Sequence, residues 1–199
     1  MRYLKIKTKI NLLIEKAKHN AEKSLADKIL GFISLIESII FPIPVDPFLA
    51  GLTLAAPKKA FKFALFCTVG SVIGGVVGWL LGYIVGPSIE NILLNVPWFT
   101  EAKFKAVKMA YNENGMLIIF LGAFTPLPYK IITVTSGMAG INIFGFILMS
   151  IVGRGIRFFA VSYLVKFFGI PALLFLQKHL LLYSSIFGIV IIIFSIYIF

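Results

Sequence analysis

Charge is scarce in this sequence: Asp, Glu, Lys and Arg make up 14% of 199 positions, where a soluble domain carries about 25%. Apolar residues take up the difference at 59%, with aromatics at 15%, which excludes an ordinary soluble globule and points to a chain dissolved in lipid. Cysteine is nearly absent. Cys67 stands alone in an apolar run, excluding intrachain disulfides and CxxC metal clusters. The two histidines, His19 in a basic stretch and His179 ahead of the last apolar run, lie too far apart to share a metal, so no metal site is expected. No GxSxG, HExxH, phosphate-loop or dinucleotide motif occurs, and neither an enzymatic activity nor a cofactor is expected. Acidic residues number eight against 19 Lys and Arg. In a soluble chain that excess would suggest nucleic acid, but eight of the basic residues crowd into residues 1–28, where polar flanks of a lipid-soluble body account for them. No nucleic-acid partner is expected.

Residues 1–28 do not read as a secretory signal, because Lys5, Lys7, Lys9, Glu15, Lys16, Lys18, Glu22 and Lys23 interrupt every apolar stretch. Leu4, Ile10, Leu13, Ile14, Ala17, Ala21 and Leu25 recur at loosely helical spacing. This basic amphipathic segment is either a helix lying on an anionic leaflet or a solvated polar tail.

Downstream, apolar runs come in two lengths. Phe63 to Val85, Phe144 to Phe168 and Leu180 to Phe199 are long enough to cross a bilayer, which takes about 20 residues. Ile29 to Phe41 and Met116 to Thr125 are not, and each runs into a Pro-x-Pro cluster, Pro42 with Pro44 and Pro126 with Pro128. Proline removes a backbone donor and disfavours helix in the residue before it, so these clusters mark helices that stop within the membrane. The chain is apolar again beyond each, as a re-entrant hairpin requires, and such backbone survives at depth only when buried in protein or lining a wet cavity.

The halves also match at a fixed offset. A shift of 84 places Gly31 on Gly115, Pro42 on Pro126, Pro44 on Pro128 and Asp46 on Lys130; a shift of 83 places Phe61 on Phe144, Gly70 on Gly153 and Gly86 on Gly169. Each unit, 31–86 and 115–169, then holds one hairpin and one span. An odd number of crossings per unit makes the second enter from the opposite face. The expected fold is all-α and integral to the membrane: an inverted repeat of re-entrant hairpin plus transmembrane helix over 29–170, preceded by an N-terminal interfacial helix and followed by a C-terminal third span at 180–199. The N-terminal segment, Lys58, Lys59, Lys62, Lys166 and Lys178 fall on one side of that topology. The positive-inside rule puts that side, and the N-terminus, in the cytoplasm.

Five charges lie at membrane depth: Glu37, Asp46, Lys130, Arg154 and Arg157. Each costs about 2.5–3.5 kcal/mol at a helix centre, so all five are expected to face inward. Arg154 and Arg157, three apart, share a helix face, and guanidinium matches phosphate bidentately. A spare positive charge favours a phosphate-like ligand; buried ion pairs that only lock helices are the alternative. The glycines at 70, 74, 78, 82 and 86 form one stripe for close helix packing.

The segment from Phe120 through Pro126-Leu-Pro128-Tyr-Lys130, Ser136-Gly137-Met138 and Gly153-Arg154-Gly-Ile-Arg157 resembles the DedA family, also called the VTT or SNARE-associated domain, in its YqaA-like branch. Glu37 with Pro42-Ile-Pro44-Val-Asp46 is similar to the family's first acidic and proline motif. The likeness covers about residues 30–170. It implies a multi-pass protein of the bacterial cytoplasmic membrane with two facing re-entrant hairpins. It also implies translocation of a phospholipid or a polyprenyl-phosphate carrier between leaflets, coupled to a proton or sodium gradient. Many members carry an arginine where this chain has Ala123; either Lys130 takes that role or the branch handles a different substrate. On this reading Arg154, Arg157 and Lys130 hold the anionic lipid head group and Glu37 and Asp46 carry the coupling proton. A transporter of small ions or metabolites and a non-transporting membrane organiser are the alternatives, and a homo-oligomer is left open.

Overall fold

The computed structural model describes residues 21, 24–39, 44–94, 101–125 and 128–172. Pro42, Pro126, the first twenty residues and the expected third span lie outside the described residues. Among those described, every regular element is a helix: α1 (Ser24–Ile39), α2 (Val45–Ala55), α3 (Ala60–Leu94), α4 (Glu101–Phe124), α5 (Tyr129–Met138) and α6 (Ile143–Phe168), with a 3-10 turn at Pro57–Lys59.

Both expected interruptions are present. α1 stops at Ile39 and α2 starts behind Pro44 (φ −65°, ψ 108°); α4 stops at Phe124 and α5 starts behind Pro128 (φ −63°, ψ 90°). The two prolines share one extended conformation, and neither helix start has a side-chain cap. α4 is bent at Asn114 (φ −128°, ψ 19°), which separates the half-length run from the helical stretch before it. α6 opens on Asn142, whose side chain accepts from the amides of Phe144 and Gly145 at 2.9 and 3.3 Å, and ends at Gly169 in the left-handed region (φ 62°). α1 begins ahead of the boundary placed at residue 28. Its first-turn Asp27 is buried and pairs with Lys59 at 3.4 Å, so this last turn of the basic segment packs with the domain.

Contacts fix the direction of each helix. Gly31 lies on Phe66 and Gly70, Ser34 donates to the Cys67 carbonyl at 2.8 Å, and Ser38 meets Ser71 at 2.8 Å, so α1 runs alongside α3 in the same sense. Gly75 lies on Tyr129, Gly78 on Thr133 and Gly86 on Met138, so α5 does too. α4 and α2 follow α6 instead: Gly145 meets Met116, Gly153 meets Ala123, and Thr53 bonds Ser162 at 3.0 Å. α6 opposes α3, with Ser162 donating to the Ala60 carbonyl and Gly155 beside Thr68. Each half is thus a helical hairpin plus a long helix, and each hairpin's second arm packs on the long helix of the other half.

The stripe of glycines on α3 serves two neighbours, where the sequence suggested one. Gly70 and Gly74 receive α1; Gly78, Gly82 and Gly86 receive α5, joined by Gly75. A methyl group on Gly82 would stand 2.0 Å from the Val134 carbonyl, so only glycine permits this approach.

Polarity is inverted relative to a soluble protein. Ser34, Ser38, Asp46, Thr53, Ser71, Thr133, Ser136, Ser150, Arg154 and Ser162 are buried, while Ile84 and Phe144 are 70% and 78% exposed. Hydroxyls stitch the helices together and apolar chains cover the outside, which is the arrangement a lipid solvent imposes. Pro57–Gly86 and Ile143–Phe168 are long and apolar enough to cross a bilayer.

Candidate functional site

Both breaks converge on one face of α6. Arg154 and Arg157 project from it, three residues apart, toward the last turn of α1, the first turn of α2, the end of α4 and the start of α5. Arg157 bridges the halves: one guanidinium nitrogen donates to the Thr125 carbonyl at the end of α4 (2.7 Å), and another makes a short ion pair with Asp46 in the first turn of α2. A carboxylate in the first turn of a helix is favoured by the exposed amide dipoles there, so Asp46 suits its position even before pairing.

Arg154 lies deeper, with only 2% of its surface exposed. Its guanidinium carbon sits 4.0 Å from the Tyr129 ring centroid and 5.6 Å from that of Phe158. Glu37 is its only carboxylate at short range among the described residues. Glu37 Oε2 stands 3.8 Å from Arg154 Nη2, outside hydrogen-bonding distance, so the two interact through space. Two guanidinium groups thus face two carboxylates. Buried charges at these depths persist only with such compensation, because an uncompensated one costs several kcal/mol, of order 3.

Hydrogen bonding in the cluster is incomplete. Glu37 Oε2, Asp46 Oδ1 and Arg154 Nε and Nη2 are buried with no hydrogen-bond partner among the described residues, and the Tyr129 and Ser150 hydroxyls, also buried, have none beyond each other. Interiors rarely leave so many polar atoms unmatched in one place, and water, an ion or a ligand can satisfy such atoms.

Of the charges singled out in the sequence, Glu37, Asp46, Arg154 and Arg157 come together. Lys130 stands half-buried at the start of α5, next to Tyr129, and it is Tyr129 that covers Arg154. Tyr129 and Ser150 are site residues that the sequence reading missed. Spacing offered a clue for Ser150, one helical turn before Arg154 on the same face; nothing in the sequence links the Tyr129 ring to a residue 25 positions later. Ala123 is fully buried, and a Cβ on Gly153 would come within 2.7 Å of its side chain. No long side chain fits at position 123 unless α6 moves away, so the guanidinium groups of this site come from α6. Among the described residues no group of three or more His, Cys, Asp or Glu is placed to hold a metal ion.

The VTT-domain family model matches residues 41–167, well over half of the chain and nearly the whole of this arrangement. An uncharacterized protein of Haemophilus influenzae is 32% identical over 140 residues, covering 70% of this chain and 72% of its own length. A Histophilus somni protein described as an uncharacterized HI0703 homolog is 34% identical over 157 residues, 79% of this chain and 81% of its own. No solved structure matches. With two long apolar helices, a polar interior and this match over both breaks, the chain belongs to the DedA family of VTT-domain membrane proteins.

Proposed function

We propose that this protein moves a phospholipid or polyprenyl-phosphate lipid between the leaflets of the bacterial cytoplasmic membrane, driven by a proton or sodium gradient. The family, whose members are generally proposed to be transporters, supports transport in general. The observation that carries the finer reading is the buried cluster in which both helix breaks meet Arg154 and Arg157 with unmatched polar atoms. Guanidinium groups at that depth suit a phosphate head group whose acyl tail stays in the bilayer. Lys130, at the second break, adds positive charge on the approach.

In this reading α1–α2 and α4–α5 are re-entrant hairpins entering from opposite faces, with α3 and α6 as the spans of an inverted repeat. The matched proline conformations and the opposed directions of α3 and α6 support it. The N-terminus and the lysines at positions 58, 59, 62 and 166 lie on the cytoplasmic side. Glu37 and Asp46 exchange the coupling ion: neutralising a carboxylate beside a guanidinium frees positive charge for the head group, and ion release returns the ion pair.

The test is a leaflet-specific assay of labelled lipid in proteoliposomes, with and without a pH gradient. Wild type is expected to redistribute lipid faster under the gradient. Glu37→Gln, which keeps size but removes titration, is expected to lose the gradient effect and keep downhill exchange. Unchanged lipid asymmetry in both conditions would refute lipid translocation in favour of a soluble substrate.

A further inference from the structure

We infer that Tyr129 and Ser150 complete, with one edge of the Arg154 guanidinium, an oxyanion site for a phosphate ester buried between α5 and α6. The inference rests on the lipid-translocase reading and names the groups that would recognise the head group within it.

The geometry begins with how Tyr129 meets Arg154. The ring covers the guanidinium at 4.0 Å from its carbon, an approach that uses the π face and leaves the in-plane N–H groups free. Two nitrogens on the same edge of the guanidinium, Nε and Nη2, have no hydrogen-bond partner. That edge carries two parallel N–H bonds, the fork that binds two oxygens of one phosphate or carboxylate. Glu37 does not occupy it, since 3.8 Å is too long for a hydrogen bond.

Two neutral donors, Tyr129 and Ser150, come from the residues packed around Arg154. Phe146, Ser150 and Arg154 succeed one another at intervals of four on the buried stripe of α6, and the Tyr129 ring stacks on Phe146 at 6.5 Å while covering Arg154. Ser150 therefore stands between the two residues that Tyr129 spans. Tyr129 is 1% exposed and Ser150 fully buried, and their hydroxyls face each other with no partner outside that pair. Gly75 makes room for the phenol, because a Cβ there would come within 2.6 Å of the Tyr129 hydroxyl oxygen. Two unmatched guanidinium N–H donors and a neighbouring pair of hydroxyls that can turn their protons outward are what a multiply charged oxyanion requires.

Trp79 belongs to the same packed cluster as Tyr129 and Phe146, so its fluorescence reports on the site. The full chain carrying Trp98→Phe, which leaves Trp79 as its only tryptophan, is titrated in detergent with dihexanoyl phosphatidic acid, inorganic phosphate and dihexanoylglycerol. Saturable binding of phosphatidic acid without binding of the diacylglycerol is expected. Tyr129→Phe, which keeps the ring on Arg154, and Ser150→Ala should each weaken it about tenfold, the low end for a hydrogen bond to a charged group, with the melting temperature held. Binding of phosphatidic acid alone assigns the site to a lipid head group, and binding of inorganic phosphate as well assigns it to the phosphate group itself; both support the site. Wild-type affinity in both variants, or no binding of either phosphate by wild type, overturns it. Loss of binding in the variants alongside a wild type that moves no lipid in proteoliposomes would leave this site standing and remove the translocase reading.

Discussion

Among the described residues Arg157 is the one side chain that bonds both helix breaks, which makes its pairing with Asp46 measurable. The Asp46 side chain is 7% exposed and that of Arg157 15%, so solvent does little to replace a lost partner. Asp46→Asn leaves Arg157 bonded to the Thr125 carbonyl, and one charge-assisted bond is weakened, at a cost of about 2 kcal/mol. Arg157→Gln removes both bonds and strands a carboxylate that already has one unmatched oxygen, at a cost of about 4 kcal/mol. The double variant removes both charges together. It should lose about 3 kcal/mol in all, well short of the sum of the singles, for a coupling of about 3 kcal/mol. Unfolding by SDS titration from mixed micelles, followed by far-UV circular dichroism, reads the three values against wild type. Additive losses in the double variant would refute direct pairing and leave the two residues acting separately.

Glycine packing gives a second contrast. Gly137→Ala drives a methyl group to 2.0 Å from the Trp79 carbonyl and should destabilise the fold by about 1–3 kcal/mol, while Gly51→Ala, with open space around it, should be neutral or stabilising by about 0.5–1 kcal/mol in the same assay. Equal effects at the two positions would contradict the α3–α5 contact. For topology, single cysteines at Lys58 and Asn112 in a Cys67→Ala background should label from opposite faces of sealed vesicles, because Lys58 lies in the turn just ahead of α3 and Asn112 precedes the bend near the start of α6. Labelling of both from one face would rule out the inverted arrangement.

The breaks were legible because proline acts locally. Pro44 and Pro128 disfavour helix in the residue before them and are themselves extended, and the short apolar runs ahead of them left no room for a span. The inward placement of Glu37, Asp46, Arg154 and Arg157 was legible too, since the cost of a charge in lipid does not depend on the details of packing. Partnership was not. That Arg157 takes Asp46 and Thr125, that Arg154 takes the face of Tyr129, and that the α3 glycines divide between α1 and α5 all depend on how helices distant in the chain come to lie together. The helical backbone that runs on to Leu94 and resumes at Glu101 was not legible, because mixed charge there breaks the apolar runs by which the spans are recognised.

The cross-bracing of the two halves also sets an order of events during synthesis. Asp46 precedes its partner by 111 residues, an interval on the order of ten seconds of translation. Until the ribosome has supplied α6, the first half holds Glu37 and Asp46 with neither arginine available, and α2 packs on α3 without its second neighbour. A nascent chain stalled before Arg154 therefore presents two uncompensated acids to the insertion machinery. That makes the first half a poor independent unit, and it places the commitment to the folded state late, when a single turn of α6 delivers both guanidinium groups at once.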